Sequence, residues 1–137
     1  MTKAELESKA TDLLEKCQFL TLSSVTDEGY PRVCSMAKMK NEGFSVIWFS
    51  TGSGSVKVAN FRRNARAGVC YYDESDSVTV IGEVEIVDDP EFKREQWADW
   101  MLDFFPGGIE DPEYCVLKFT GKEATFWLEK QFETHAC

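Results

Sequence analysis

The stretch Trp48-Phe49-Ser50-Thr51-Gly52-Ser53-Gly54-Ser55-Val56-Lys57 runs an apolar strand into a Gly/Ser/Thr loop that opens a helix with a lysine in its first turn. Residue types in that order suit an anion. The glycines let backbone come close to a ligand, and the hydroxyls of Thr51, Ser53 and Ser55 are donors for phosphate oxygens. The helix start adds free N–H groups and the positive end of a dipole. Lys57 adds a full charge. The same residues also satisfy a plainer pattern, in which Ser53 or Ser55 caps the helix and the glycines form a turn.

Charge placement favours the ligand pattern. The formal net charge is -9, which argues against non-specific nucleic-acid binding and against docking on anionic membranes. From Tyr30 to Cys70, however, Arg32, Lys38, Lys40, Lys57, Arg62, Arg63 and Arg66 face a single acid, Glu42, whereas Tyr71 to Tyr114 holds only Lys93 and Arg94 among many acids. A local basic island in an acidic chain suits a small anionic ligand, although Arg62, Arg63 and Arg66 also fit a solvated helix C-terminus.

Other chemistries find little support. The one histidine is His135, two residues from the end, so neither a His-based triad nor a His-containing metal site is expected. Cys17, Cys34, Cys70, Cys115 and Cys137 are odd in number and widely spaced. They indicate neither a disulfide framework nor a zinc knuckle; the first four read as buried thiols and Cys137 as exposed. Glu83 and Glu85 share one strand face and read as a solvated edge. The start, Met1-Thr2-Lys3-Ala4-Glu5, has no apolar run resembling a signal peptide, which points to a cytoplasmic protein.

The elements that must position the Thr51–Lys57 loop are mostly strands within one domain, 1–137. Thr2-Lys3-Ala4-Glu5 has capping-box spacing, and Leu6, Ala10, Leu13, Leu14 and Cys17 recur on one face, giving a helix over 1–17. Strands are expected over Gln18–Thr26, Tyr30–Met39 and Phe44–Phe49, then a helix over Ser55–Asn64, and strands over Ala67–Tyr72 and Ser77–Val87 with a bulge at Gly82. Asp88-Asp89-Pro90 starts a helix whose apolar stripe is Phe92, Trp97, Trp100, Met101 and Phe104, core or subunit interface. Cys115–Thr120 and Ala124–Leu128 read as two closing strands around Gly121, with 129–137 a polar tail. Short strands and a bent long one suggest a small antiparallel β-barrel with α insertions.

Gly29-Tyr30-Pro31-Arg32-Val33, Trp48-Phe49-Ser50-Thr51, Ser55-Val56-Lys57, Asn64 and Gly82-Glu83-Val84-Glu85-Ile86-Val87, in that order, resemble the pyridoxamine 5'-phosphate oxidase-like superfamily of FMN-binding split barrels, nearest its general-stress-protein-like branch. The resemblance runs from Leu13 to Trp127 and implies a mainly β fold, a six- to seven-stranded antiparallel split β-barrel. It also implies a homodimer with two FMN sites at the subunit interface. In that family the positions matching Thr51 and Lys57 meet the FMN phosphate and the strand matching Cys34 through Ser35 and Met36 to Met39 runs past the ribityl chain and flavin ring, which implies neighbouring contacts at Ser50 and Ser55. Trp127 is a candidate to cap the ring across the dimer, or else a core residue. The chain departs from the pattern at Cys34, Met39 and Val56, where the oxidases carry basic residues. Lys57 is the clear remaining cation, and strand alternation sends Lys38 and Lys40 to the face opposite Met39.

The function implied is that of a flavin-dependent oxidoreductase acting on a small-molecule substrate or electron donor. The absence of a catalytic acid–base constellation agrees with this, because a flavin carries such chemistry itself. The competing expectation is a non-catalytic flavin-binding or sequestering stress protein, or a relative that has lost flavin.

Overall fold

The computed structural model describes residues 1–137. Helix α1, Lys3–Lys16, begins with the expected capping box, Thr2 and Glu5 bonding each other's backbone. Leu6, Ala10, Leu13 and Leu14 then plug one end of the barrel. Burying each leucine contributes roughly 1.5–3 kcal/mol, which fixes the helix more firmly than its capping does.

Seven strands follow: β1 Phe19–Val25, β2 Pro31–Glu42, β3 Val46–Gly52, β4 Arg66–Asp73, β5 Asp76–Val87, β6 Tyr114–Leu128 and β7 Gln131–Ala136. Six of them close an antiparallel barrel in the order β3-β2-β1-β4-β5-β6, sealed by the pairing of β3 with β6. The inward positions of alternating strands, among them Leu20, Leu22, Ile47, Phe49, Val78, Val80 and Phe119, fill it. Helix α2, Val56–Arg63, tucks Val58 and Phe61 against the same core.

Several strand expectations change: β2 runs past Met39 to Glu42, and β3 starts at Val46 and carries Ser50, Thr51 and Gly52, expected in the loop. Residues 115–128 form part of one 15-residue strand, β6, and not two. Its first half pairs with β3 and its second with β7. The register slip falls at Gly82, as expected, where β5 opposes Gly121. A Cβ on Gly82 would overlap the Thr120 carbonyl oxygen, so glycine permits the close approach and β6 bends without breaking. The residues read as a polar tail form β7, with Gln131, Glu133 and His135 half-buried against β6 while the residues between them face solvent.

The aromatic stripe is not one helix. Helix α3 spans Pro90–Gln96, Trp97 is extended, and a 3-10 helix covers Asp99–Asp103. On a continuous helix, at about 100° per residue, Trp97 would sit about 140° from Phe92. The break lets Phe92, Trp97, Met101 and Phe105 all reach Trp48, Tyr114 and Val116 on the outer face of β3 and β6. Trp100 and Phe104 are left pointing outward, 53% and 68% exposed. No helix is long and apolar enough to cross a membrane.

Candidate functional site

Strand β2 pairs with β1 along Pro31–Ala37 but with β3 only from Lys38 onward. Beyond Phe49 the two strands part, which leaves one edge of each without a backbone partner from the other. The cleft in that split measures about 410 Å³ and is lined by Ser35, Met36 and Ala37 of β2, Ser50, Thr51 and Gly52 of β3, Trp100, Phe104 and Phe105, and Glu113. Four of the sequence-based candidates, Ser35, Met36, Ser50 and Thr51, therefore meet in one place.

Thr51 is the last inward residue of β3 and is 9% exposed. Lys57, in the first turn of α2, donates from Nζ to Thr51 Oγ1 at 3.1 Å. That bond occupies a lone pair of the hydroxyl and leaves its proton free to donate outward. Lys57 has no carboxylate within ion-pairing distance. The N–H groups of Val56 and Lys57 open α2 ahead of any intrahelical acceptor. Ammonium and hydroxyl thus meet beside the cleft, on the helix turn whose leading N–H groups are free.

The remaining candidates are placed differently. Ser55 is the N-cap of α2, its hydroxyl accepting from the Val58 N–H at 3.4 Å. Ser53 is spent on the protein: its hydroxyl lies 3.0 Å from the Pro112 carbonyl oxygen and 3.3 Å from Glu113 Oε1. Cys34 faces the barrel interior opposite Leu22, its Sγ 3.6 Å from that residue's carbonyl oxygen, and does not line the cleft. Trp127 sits at the opposite end of β6 from Cys115, the partner of Thr51, and packs on Phe132 with ring centroids 5.9 Å apart. Within one subunit it does not meet the loop.

Strand alternation fails at Met39, which is the extra residue of a bulge: Lys38 opposes Phe49 and Lys40 opposes Trp48. Lys38 consequently lies at the barrel end, with Nζ 2.8 Å from the Leu14 carbonyl oxygen and 2.9 Å from Asn41 Oδ1. Lys40 shares the outer face with Met39 and covers the Trp48 ring at 4.6 Å. Neither reaches Thr51, and they do not share a face. Among the cysteines, Cys115 is buried, but Cys17, Cys34 and Cys70 are only half-buried. Burial pushes the Cys115 and Cys17 thiols above their ordinary range.

Sequence reasoning missed Glu113 and gave Trp100 and Phe104 no role beyond core or interface. In a chain rich in acids nothing marks Glu113. The exposure of Trp100 and Phe104 follows from a helix break that periodicity conceals.

The family model described as Pyridoxamine 5'-phosphate oxidase like matches residues 5–136. The chain belongs to that family. No curated protein matches it. Among solved structures it is similar to a Clostridium acetobutylicum protein related to general stress protein 26 of B. subtilis (23% identity, 98% of this chain and 96% of that one, TM-score 0.87). It is also similar to general stress protein 26 from Bacillus anthracis (21%, 97% and 99%, TM-score 0.80). A pyridoxamine 5'-phosphate oxidase-related, FMN-binding protein from Nostoc punctiforme matches more distantly (16%, 98% and 93%, TM-score 0.67). At these identities the likeness concerns the fold.

Proposed function

We propose that this chain binds FMN in the split between β2 and β3, works as a homodimer, and uses the flavin as an oxidoreductase toward a small molecule. The observation that carries this is the Lys57–Thr51 contact beside the cleft. The residues present fit a phosphate: one ammonium without an acidic partner, one hydroxyl with its proton free, and the leading N–H groups of α2. Met36, Ser35 and Ser50 would border the ribityl chain and ring. Trp100 and Phe104, edge-to-face at 6.0 Å, supply an aromatic wall. The flavin, when bound, supplies electron or hydride chemistry; the protein's part is to hold it and keep one side of the cleft apolar.

The dimer is supported by the outer sheet face. Across β2, β1, β4 and β5, Ser35 aligns with Thr21, Cys70 and Thr79, and Val33 with Ser23, Gly68 and Ile81. These rows carry no charge in a chain of net charge -9. Phe19, Val33, Tyr72 and Ile81 stand exposed on or beside them at 62%, 62%, 67% and 52%. A patch of that kind on a small domain calls for a partner. Ser35 belongs to both this face and the cleft, so a second copy seated here would complete the flavin site. Trp127 lies on the same face through its pairing with Ser77, which supports a role for it across the dimer.

The absorbance spectrum of freshly purified protein after FMN reconstitution and gel filtration tests the proposal. Retained flavin, bleached on adding a nicotinamide donor or substrate, is the expected result. Protein that elutes free of flavin contradicts it. Cys34, Met39 and Val56, which supply no cation, favour the second reading, a relative that has lost flavin or one that binds or sequesters it without turnover. Retained flavin that no donor bleaches would select the latter.

A further inference from the structure

The Gly/Ser loop already holds an anion, and it belongs to this chain. Glu113 Oε2 accepts from the Gly54 N–H at 3.2 Å, and Oε1 lies 3.3 Å from the Ser53 hydroxyl. A Cβ at Gly52 would stand 3.2 Å from Oε2, and one at Gly54 3.5 Å from both oxygens. Gly52 and Gly54 therefore make room for this carboxylate.

The segment carrying Glu113 is fastened independently of its side chain. Asp111 accepts from the Glu113 N–H at 2.9 Å and the Gly107 N–H at 2.8 Å. Ser53 N–H donates to the Glu113 carbonyl oxygen at 2.9 Å. The carboxylate is exposed, has no ion-pair partner, and lines the same cleft as Ser50 and Thr51. It can swing away without unmaking the loop, yet while it stays its charge adjoins the place where a ligand's phosphate would lie.

We propose that Glu113 is a specificity-determining residue of this site: its carboxylate competes with a ligand's phosphate for the Ser53–Gly54 end of the loop and so sets how far the protein prefers phosphorylated over unphosphorylated flavin. The proposal rests on the reading of Thr51 and Lys57 as the phosphate contact. Like charges in a shared site repel, and the repulsion grows with ligand charge. A dianionic monoester is penalised and a neutral ligand is not.

Flavin titrations of the wild type, Glu113→Gln and Glu113→Ala, followed by fluorescence quenching, test it. Gln keeps an oxygen acceptor for the Gly54 N–H but removes the charge. The expected result is a three- to tenfold tightening for FMN in Glu113→Gln with riboflavin unchanged, the gain shrinking in high salt. FMN affinity that is unchanged or weaker in Glu113→Gln overturns the proposal; weakening in both variants would make Glu113 a brace of the loop. If no variant binds FMN, the flavin reading fails separately, and inorganic phosphate titrated against the Gly54 amide resonance decides the matter. Half-saturation at lower phosphate in Glu113→Gln than in the wild type supports the competition. Equal titrations, or a resonance unmoved in both proteins, overturn it.

Discussion

Lys57 Nζ lies 3.1 Å from Thr51 Oγ1, tying the first turn of α2 to the last inward residue of β3. A long, flexible side chain is thereby held in one geometry before any ligand arrives, which lowers the ordering cost of binding an anion. Because a charge-assisted contact contributes roughly 1.5–3 kcal/mol, FMN is expected to bind about ten- to a hundredfold more tightly than riboflavin. Parallel fluorescence titrations check this. Equal affinity for the two flavins would reduce the loop to a structural turn.

Light scattering at micromolar concentration is expected to report twice the chain mass of 15.6 kDa. Ile81→Lys places a charge in the outer face of β5, 52% exposed in the subunit, where a monomer tolerates it and an interface does not. A shift to monomer with an unchanged circular dichroism spectrum is expected. A wild type that is itself a stable monomer would remove the proposed flavin site's second half.

Gly82→Ala is expected to destabilise the fold by about 3 kcal/mol, at the upper end of overpacking costs, because the new Cβ meets backbone and not a movable side chain. Gly82 and Gly121 face each other at the register slip. Urea unfolding reads this as a lower midpoint with an unchanged slope. An unchanged midpoint would mean that the two strands do not approach this closely.

Two carboxylates contribute to acid stability. The Thr2 backbone N–H, and then its hydroxyl, hold Glu5 below the usual range, and the N–H groups of Glu113 and Gly107 do the same for Asp111. A depressed folded-state pKa contributes stability above the unfolded value, about 4, and loses it as pH falls through the folded value. Stability is therefore expected to hold from pH 7 to about pH 5 and to fall below about pH 4. The double variant Glu5→Gln/Asp111→Asn should show a shallower acid limb. An identical limb would remove both groups from the explanation.

The barrel is legible in the sequence because its strands alternate and its turns are marked: Leu20 and Leu22 face inward, Gly29 takes a positive φ, and Gly82 marks the slip. The Thr51–Lys57 pair is legible because a strand leading into a capped helix is a local pattern. Placement that depends on distant partners is not. The bulge at Met39 reverses the face of Lys38 relative to Lys40, and alternation carries no sign of it. The break at Trp97 answers to Tyr114, whose ring it meets at 5.3 Å. Glu113 reaches the loop across 59 positions to Gly54, and β7 is too polar to announce itself until β6 offers it an edge.

Lys57→Ala tests the central claim, that Thr51 and Lys57 bind the phosphate of FMN. The expected result is FMN affinity weakened about ten- to a hundredfold, riboflavin affinity unaltered, and an unfolding midpoint little changed, since a lysine at a helix N-terminus opposes the dipole. FMN affinity equal to wild type in a folded Lys57→Ala protein would contradict it.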